Sequence, residues 1–303
     1  MTESSDNTRC GFVAILGAPN AGKSTLVNRA VGQKVSIVSP KVQTTRSRVL
    51  GILTEGATQI VLVDTPGIFA PRRRLDRAMV AAAWGGAADA DAIVLIVDAA
   101  QKAVDEETLG IIAGLKKQKR QAILVLNKID IVKREKLLTM ASNLNAEGVF
   151  TDIFMISAET GDGLDDLLKA VAQRMPEGPH HFPDDQVTDV PMRSLAAEVT
   201  REQLFRQLQQ ELPYALTVET DSWEEFDDGS AKIQQTIFVI RDSQKAIVVG
   251  KGGSRVKQVR EAAQRELESL MDRKVHLFLF VKVRENWADD PERFRALGLD
   301  WDA

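Results

Sequence analysis

The sequence predicts two domains: an α/β domain with a doubly wound, mainly parallel sheet, and behind it a smaller α+β domain. Three observations predict this. Six short runs rich in Val and Ile alternate with helical stretches through the first 175 residues. A segment with three of the ten prolines then ends that pattern, and strands of period two around a glycine-rich turn follow. At 303 residues the chain is also longer than one ordinary core and suits two.

The strand candidates of the first domain are residues 11–16, 49–53, 60–63, 93–97, 122–126 and 153–156. They are apolar throughout, the pattern of strands buried on both faces of a parallel sheet. Helical stretches at 23–31, 106–117 and 164–174 lie between them, which puts helices on both faces. Ligands of such sheets sit beyond the carboxyl ends of the strands, so the residues after each run matter most. This domain is expected over 9–175 and a linker over 176–190. The second domain, 191–303, reads as a helix at about 193–212, strands at 214–220 and 233–241, and a short apolar run. A glycine turn at 250–253, a helix at 254–271 and a half-buried strand at 275–283 complete it.

Composition narrows the class. Hydrophobic residues are 44% and charged residues 27% of the chain, as in folded soluble proteins. Cys10 is the only cysteine, so no intramolecular disulfide forms and a reducing compartment fits. The polar start lacks the apolar core of a secretory signal, and no run approaches the roughly 20 apolar residues of a membrane span. A cytoplasmic protein is expected, and nothing in the sequence suggests an obligate dimer, so a monomer is expected.

Four motifs follow strand candidates in order. Gly17-Ala18-Pro19-Asn20-Ala21-Gly22-Lys23-Ser24-Thr25 contains a full GxxxxGK[ST] loop between a strand and a helix. Its backbone N–H groups and the helix N-terminus suit phosphate oxygens, Lys23 suits the β- and γ-phosphates, and Ser24 suits Mg²⁺. Asp64-Thr65-Pro66-Gly67 follows the run 60–63. Its carboxylate can hold Mg²⁺ through water, and the Gly67 N–H can meet a γ-phosphate. The tetrapeptide alone is also ordinary turn chemistry. Asn127-Lys128-Ile129-Asp130 selects the base. Guanine presents N1–H and N2–H₂ side by side, and the Asp130 carboxylate accepts from both, whereas adenine would leave it unpaired. Asn127 can reach N7 and the phosphate loop, and the Lys128 stem can cover the base. Ser157-Ala158-Glu159 comes last, where the Ala158 N–H can reach guanine O6. In that order the four define a site for GTP and GDP with Mg²⁺.

Between the first two motifs lies Gln43-Thr44-Thr45-Arg46. A threonine here can close over the metal when the γ-phosphate is present and release after hydrolysis. Thr44 and Thr45 both qualify, and Thr45 is preferred. Lys23, Thr45 and Gly67 are then the groups at the reacting phosphate, and Ser24, Thr45 and Asp64 those at the metal. Ile68 stands where Ras-type enzymes carry a water-orienting glutamine, so slow intrinsic hydrolysis is expected.

The turn Gly250-Lys251-Gly252-Gly253 enters the helix at 254–271. Lys245, Lys251, Arg255, Lys257 and Arg260 fall between residues 243 and 260 with no acidic residue among them, a local stripe hidden by the net charge of −4. Val256, Val259, Ala263, Leu267 and Leu270 recur at helical spacing and give the helix one buried face. Glycines at both corners of a GxxG turn admit a sugar-phosphate chain, the arrangement of a KH clamp on RNA. The plainer reading is a glycine turn beside a solvated basic face. Trp223, Phe226 and Trp287 could stack on bases, although lone aromatics more often pack.

Over nearly its whole length the chain resembles the Era family of bacterial ribosome-assembly GTPases. The resemblance rests on GAPNAGKST, VQTTR, DTPG, NKID and ISAETG, then on HHFP, ELPY, VVGKGG and VKVRENWADD. It implies a P-loop GTPase domain followed by a type II KH domain. It also implies binding near the 3′ end of 16S rRNA, a role in maturing the small (30S) ribosomal subunit, and loose peripheral contact with the inner membrane. In some relatives the asparagine matching Asn20 helps hold K⁺, which makes cation dependence an expectation. Two other readings fit the residues alone: a GTPase of tRNA modification or signalling whose second domain binds protein, and a binding module with a structural nucleotide site.

Overall fold

The structure, a computed structural model, describes residues 8–41, 44–71, 73–209, 212–285, 287 and 290–303, without the side chains of Arg293 and Ala296. Gln43 of the expected switch therefore lies outside the described residues, as do Val42, Glu211, Asn286, Ala288 and Asp289 of the family-like segments. The chain forms two compact units. One comprises residues up to Ser36, Thr45–Asp189 and Leu297–Ala303, and the other Ile37–Thr44 and Val190–Ala296.

The first unit holds β1 (Arg9–Leu16), α1 (Lys23–Val31), β2 (Val49–Glu55), β3 (Thr58–Asp64), α2 (Arg74–Asp89) and β4 (Ala92–Asp98). It continues through α3 (Glu106–Lys117), β5 (Ala122–Asn127), α4 (Arg134–Asn145), β6 (Phe150–Ile156) and α5 (Leu164–Ala172). The six strands form one sheet in the order β2-β3-β1-β4-β5-β6. All neighbours are parallel except β2 and β3, which form an antiparallel hairpin. The hairpin turns on Gly56 and Ala57, with Glu55 paired to Thr58 and Gly56 at φ 60°. A two-residue loop with a positive φ matches the twist of the flanking strands. The wholly apolar runs form the buried middle of the sheet: every residue of β3 and of β5 is buried. The segment 176–189 is fastened along this sheet. Ile52 N–H donates to Val187 O at 2.9 Å, and Gln59 Oε1 accepts from the N–H groups of His181 and Phe182.

The second unit holds α6 (Met192–Gln207), β7 (Leu216–Glu225), β8 (Ala231–Val239), α7 (Asp242–Val249), α8 (Ser254–Met271), β9 (Val275–Val283) and α9 (Pro291–Ala296). Its sheet runs β7-β8-β9, antiparallel then parallel. α6 and α8 cover one face: Ala196 and Val199 of α6 and Ala263 and Leu267 of α8 share a core with Ile233, Val275 and Leu277. The short apolar run before the glycine turn is the last turn of α7. Gln244 Oε1 caps that helix by accepting from Ile240 N–H at 2.9 Å and Arg241 N–H at 3.1 Å.

Candidate functional site

The phosphate loop leaves β1 and enters α1 through two left-handed residues, Asn20 at φ 63° and Gly22 at φ 104°. Gly22 is required here on two counts. An L-side chain disfavours that φ, and a Cβ would lie 2.2 Å from Asn127 Nδ2. Lys23 is buried, and its Nζ donates to Gly17 O at 3.0 Å and Ala18 O at 2.9 Å across the loop. Burial pushes its ammonium down to about 8, opposed by the nearby charge of Asp64.

Ser24, at the start of α1, donates to Asp64 Oδ2 at 2.7 Å and lies 2.9 Å from Thr45 Oγ1. Asp64 ends β3 and is wholly buried, which pushes its carboxyl up against the opposing bonds from Ser24, Ser36 and Thr45 and the charge of Lys23. Its Oδ1 is buried and has no hydrogen-bond partner among the described residues. A bare carboxylate oxygen beside two hydroxyls suits Mg²⁺, which binds through one or two protein oxygens, water and substrate phosphates. The two threonines separate cleanly. Thr45 Oγ1 reaches Ser24 and Asp64, whereas Thr44 Oγ1 bonds Lys41 O and Ser39 Oγ.

Gly67 lies against the phosphate loop, where a Cβ would meet Pro19 Cγ at 3.0 Å. The Thr65 hydroxyl is engaged by Ile15 O at 2.7 Å, so it anchors the turn to β1. Ile68 donates its N–H to Gly17 O at 3.3 Å and buries its side chain in the sheet core with Leu16, Ala83 and Leu95.

The loops expected to read the base follow β5 and β6, which lie side by side. Asn127 is buried and joins three loops: Nδ2 donates to Ala21 O at 2.8 Å, and Oδ1 accepts from Ala158 N–H at 2.9 Å. The Ala158 N–H, expected at the base, is here received by Asn127 Oδ1. Lys128 adopts φ 69°, and its Nζ pairs with Asp98 Oδ2 at 2.6 Å. Asp130 is exposed on the turn that follows. Ser157 is buried, and its Oγ accepts from Thr160 N–H at 3.1 Å, which shapes the last loop. Two contributors to these loops are not among the motif residues. Asp98 fixes the Lys128 ammonium, and Arg29 of α1 donates to the Ala158 and Glu159 carbonyls. A strand-final aspartate beside the NKxD lysine was the available signal for the first. The second depends on a contact across 129 residues.

In the second unit, Gly250, Gly252 and Gly253 take φ of 73°, 59° and 77° between α7 and α8. A Cβ on Gly250 would meet Arg255 N at 3.0 Å, so the turn closes tightly onto α8. Lys245, Lys251 and Lys257 are exposed. Arg255 is half-buried and donates to Ile247 O at 2.9 Å, tying α8 to the end of α7. Trp287 is buried with its Nε1 on Ala215 O, and Trp223 packs on the α6–α8 core, so both are packing residues.

A P-loop domain with NKxD and SAE loops after its fifth and sixth strands, followed by a helix–GxxG–helix unit, has the architecture of a nucleotide-binding protein with an RNA-binding module. Residues 12–128 match the model of the 50S ribosome-binding GTPase family, and residues 211–288 that of the KH domain. The GTPase Era of Afipia carboxidovorans is 57% identical over 99% of this chain and 97% of its own length. That of Rhizobium meliloti is 58% identical over 97% and 94%. Two crystal structures cover 96% of this chain and 99% of their own at 37% identity and TM-score 0.90. One is a single-substitution variant of Aquifex aeolicus Era bound to GDP·AlF4⁻; the other is Era in complex with MgGDPNP and nucleotides 1506–1542 of 16S ribosomal RNA. The chain belongs to the Era family of GTPases.

Proposed function

We propose that this chain binds GTP and GDP with Mg²⁺, hydrolyses GTP slowly, and binds 16S rRNA near its 3′ end while the small ribosomal subunit is assembled. The observation that carries the nucleotide half is Asn127, one buried amide linking the phosphate loop at Ala21 to the base loop at Ala158. In this reading Lys23 and Gly67 contact the β- and γ-phosphates, Ser24, Thr45 and Asp64 hold Mg²⁺, and Asp130 reads guanine. The buried Ile68 leaves no amide there to orient water, which supports slow turnover. K⁺ held with the help of Asn20 would raise that rate, and peripheral contact with the inner membrane accompanies the role in the family resemblance.

The RNA half rests on the GxxG turn with Lys245, Lys251 and Lys257 exposed around it, and on the relative crystallised with the 16S fragment. The test is crosslinking in cells followed by sequencing of bound RNA, comparing wild type with a Lys251→Ala, Lys257→Ala double variant. Enrichment of the 16S 3′ end that the double variant loses is expected. Enrichment of tRNA, or of no RNA, would overturn the assignment. In parallel, fast multiple turnover of the purified chain in sodium buffer would contradict the slow-switch reading.

A further inference from the structure

Three hydroxyls converge on one oxygen of Asp64. Ser24 Oγ and Ser36 Oγ each donate to Oδ2 at 2.7 Å, and Thr45 Oγ1 reaches it at 3.4 Å. The phosphate-loop and switch motifs account for Ser24 and Thr45. Nothing in those motifs accounts for Ser36, which is nonetheless buried and rigidly held. Asn28 Oδ1 accepts the N–H groups of Val35 and Ser36, both at 2.9 Å, and Asn28 Nδ2 donates to Ser36 O at 2.7 Å. Asn28 stands four residues after Ser24, on the same face of α1. One helix face therefore grips the carboxylate twice, directly through Ser24 and through Asn28 by way of Ser36.

This arrangement occupies Oδ2 and leaves Oδ1 as the carboxylate's bare acceptor. We propose that Ser36, locked by Asn28, is a positioning residue for the metal site: it fixes the Asp64 side chain so that Oδ1 is presented to Mg²⁺ and its water. The proposal rests on the reading above that Asp64 and Thr45 hold the metal. Ser36 and Thr45 bond the same carboxylate oxygen, and Ser36 is held to α1 by three further bonds through its own backbone and that of Val35.

The test uses the full chain and two readouts: the Mg²⁺ concentration that half-maximally tightens GDPNP binding, and GDP affinity in excess EDTA. Losing a hydrogen bond to a charged group should raise the half-maximal Mg²⁺ about tenfold in Ser36→Ala. Metal-free GDP affinity should stay within about twofold of wild type, and Ser36→Thr, which keeps the hydroxyl, should restore the metal response. Asn28→Ala removes the lock without touching the hydroxyl and should move Mg²⁺ dependence in the same direction; it carries the test if Ser36→Ala does not fold. Unchanged Mg²⁺ dependence in both variants would overturn the proposal, as would an equal loss of metal-free GDP affinity, which marks general damage to α1. Asp64→Asn separates the two levels. If it abolishes the Mg²⁺ response while Ser36→Ala does not alter it, only the positioning role fails; if it too leaves the response intact, the metal reading fails and the proposal with it.

Discussion

Gly22→Ala should uncouple the base site from the phosphate loop. The new Cβ would lie 2.2 Å from Asn127 Nδ2, far inside contact distance, and φ there is 104°. Holding a non-glycine residue in a left-handed conformation costs about 1–2 kcal/mol. Displacing the Asn127 amide breaks its bonds to Ala21 O and Ala158 N–H, each worth about 0.5–1.5 kcal/mol net. The sum is about 2–5 kcal/mol. The free protein can relax by letting Asn127 swing away, so much of this cost reappears when nucleotide demands the intact loop. Affinity for GDP should fall about 30-fold or more, since 1.4 kcal/mol is tenfold. Calorimetric titration with GDP measures it. Gly32→Ala is the control: its φ is 77°, and nothing lies within 4 Å of the added Cβ. It shares the backbone strain without the collision, so it should lower the melting temperature while sparing affinity. Wild-type GDP affinity in Gly22→Ala, or equal affinity losses in both variants, would refute the argument.

Asp130→Asn replaces a charged acceptor by an amide and should weaken GDP about 10- to 100-fold, for a lost charge-assisted bond of about 1.5–3 kcal/mol. Xanthosine diphosphate, whose C2 carbonyl accepts from the new amide, should gain, and competition between the two nucleotides shows whether it does. Lys23 starts from about 8 in the unliganded chain, and a bound triphosphate raises it. Binding should therefore take up almost no proton well below pH 8 and approach about one proton above it, with affinity falling as pH rises through that window. Calorimetry in buffers of different ionisation enthalpy reads this uptake, and none at pH 9 would disprove it. Lys251→Ala and Lys257→Ala should each reduce the salt slope of single-stranded RNA binding by about 0.7 per lost phosphate contact, measured by anisotropy across a salt series. Arg255→Ala should instead loosen α8 from α7 and lower thermal stability, because its guanidinium is held by Ile247 O.

The first domain was legible because parallel strands buried on both faces are continuous apolar runs, and because the site sits at their ends. All six runs are strands, each lengthened at its edges. The antiparallel hairpin of β2 and β3 was less visible. Its strands are as apolar as the parallel ones, and the clue was only the short Gly56-Ala57 link. Helix α7 escaped for a different reason. Val248 is its one buried residue, so it leaves no periodic stripe to read. Among the candidate site residues, the motif members are legible from local spacing. Ser36, Asp98 and Arg29 are not, because their roles come from partners at the far ends of other elements. Arg255 looked like a free cation in a basic stripe, and only the fold reveals the carbonyl that holds it.

Ile68 shows how the fold limits the chemistry. The turn that meets the phosphate loop must be fastened so that Gly67 stays against Pro19, and the chain fastens it with a side chain sunk among Leu16, Ala83 and Leu95. A glutamine in that place would either bury an unpaired amide, at about 1–3 kcal/mol, or turn outward and surrender the anchor. Thr65 reinforces the choice, since its hydroxyl is tied to Ile15 O. The segment that would sense the γ-phosphate is thus held by the sheet through Ile68, an isoleucine that offers no amide to orient water. Under the proposed function this anchored turn predicts slow hydrolysis, with acceleration supplied by a group or cation from outside it.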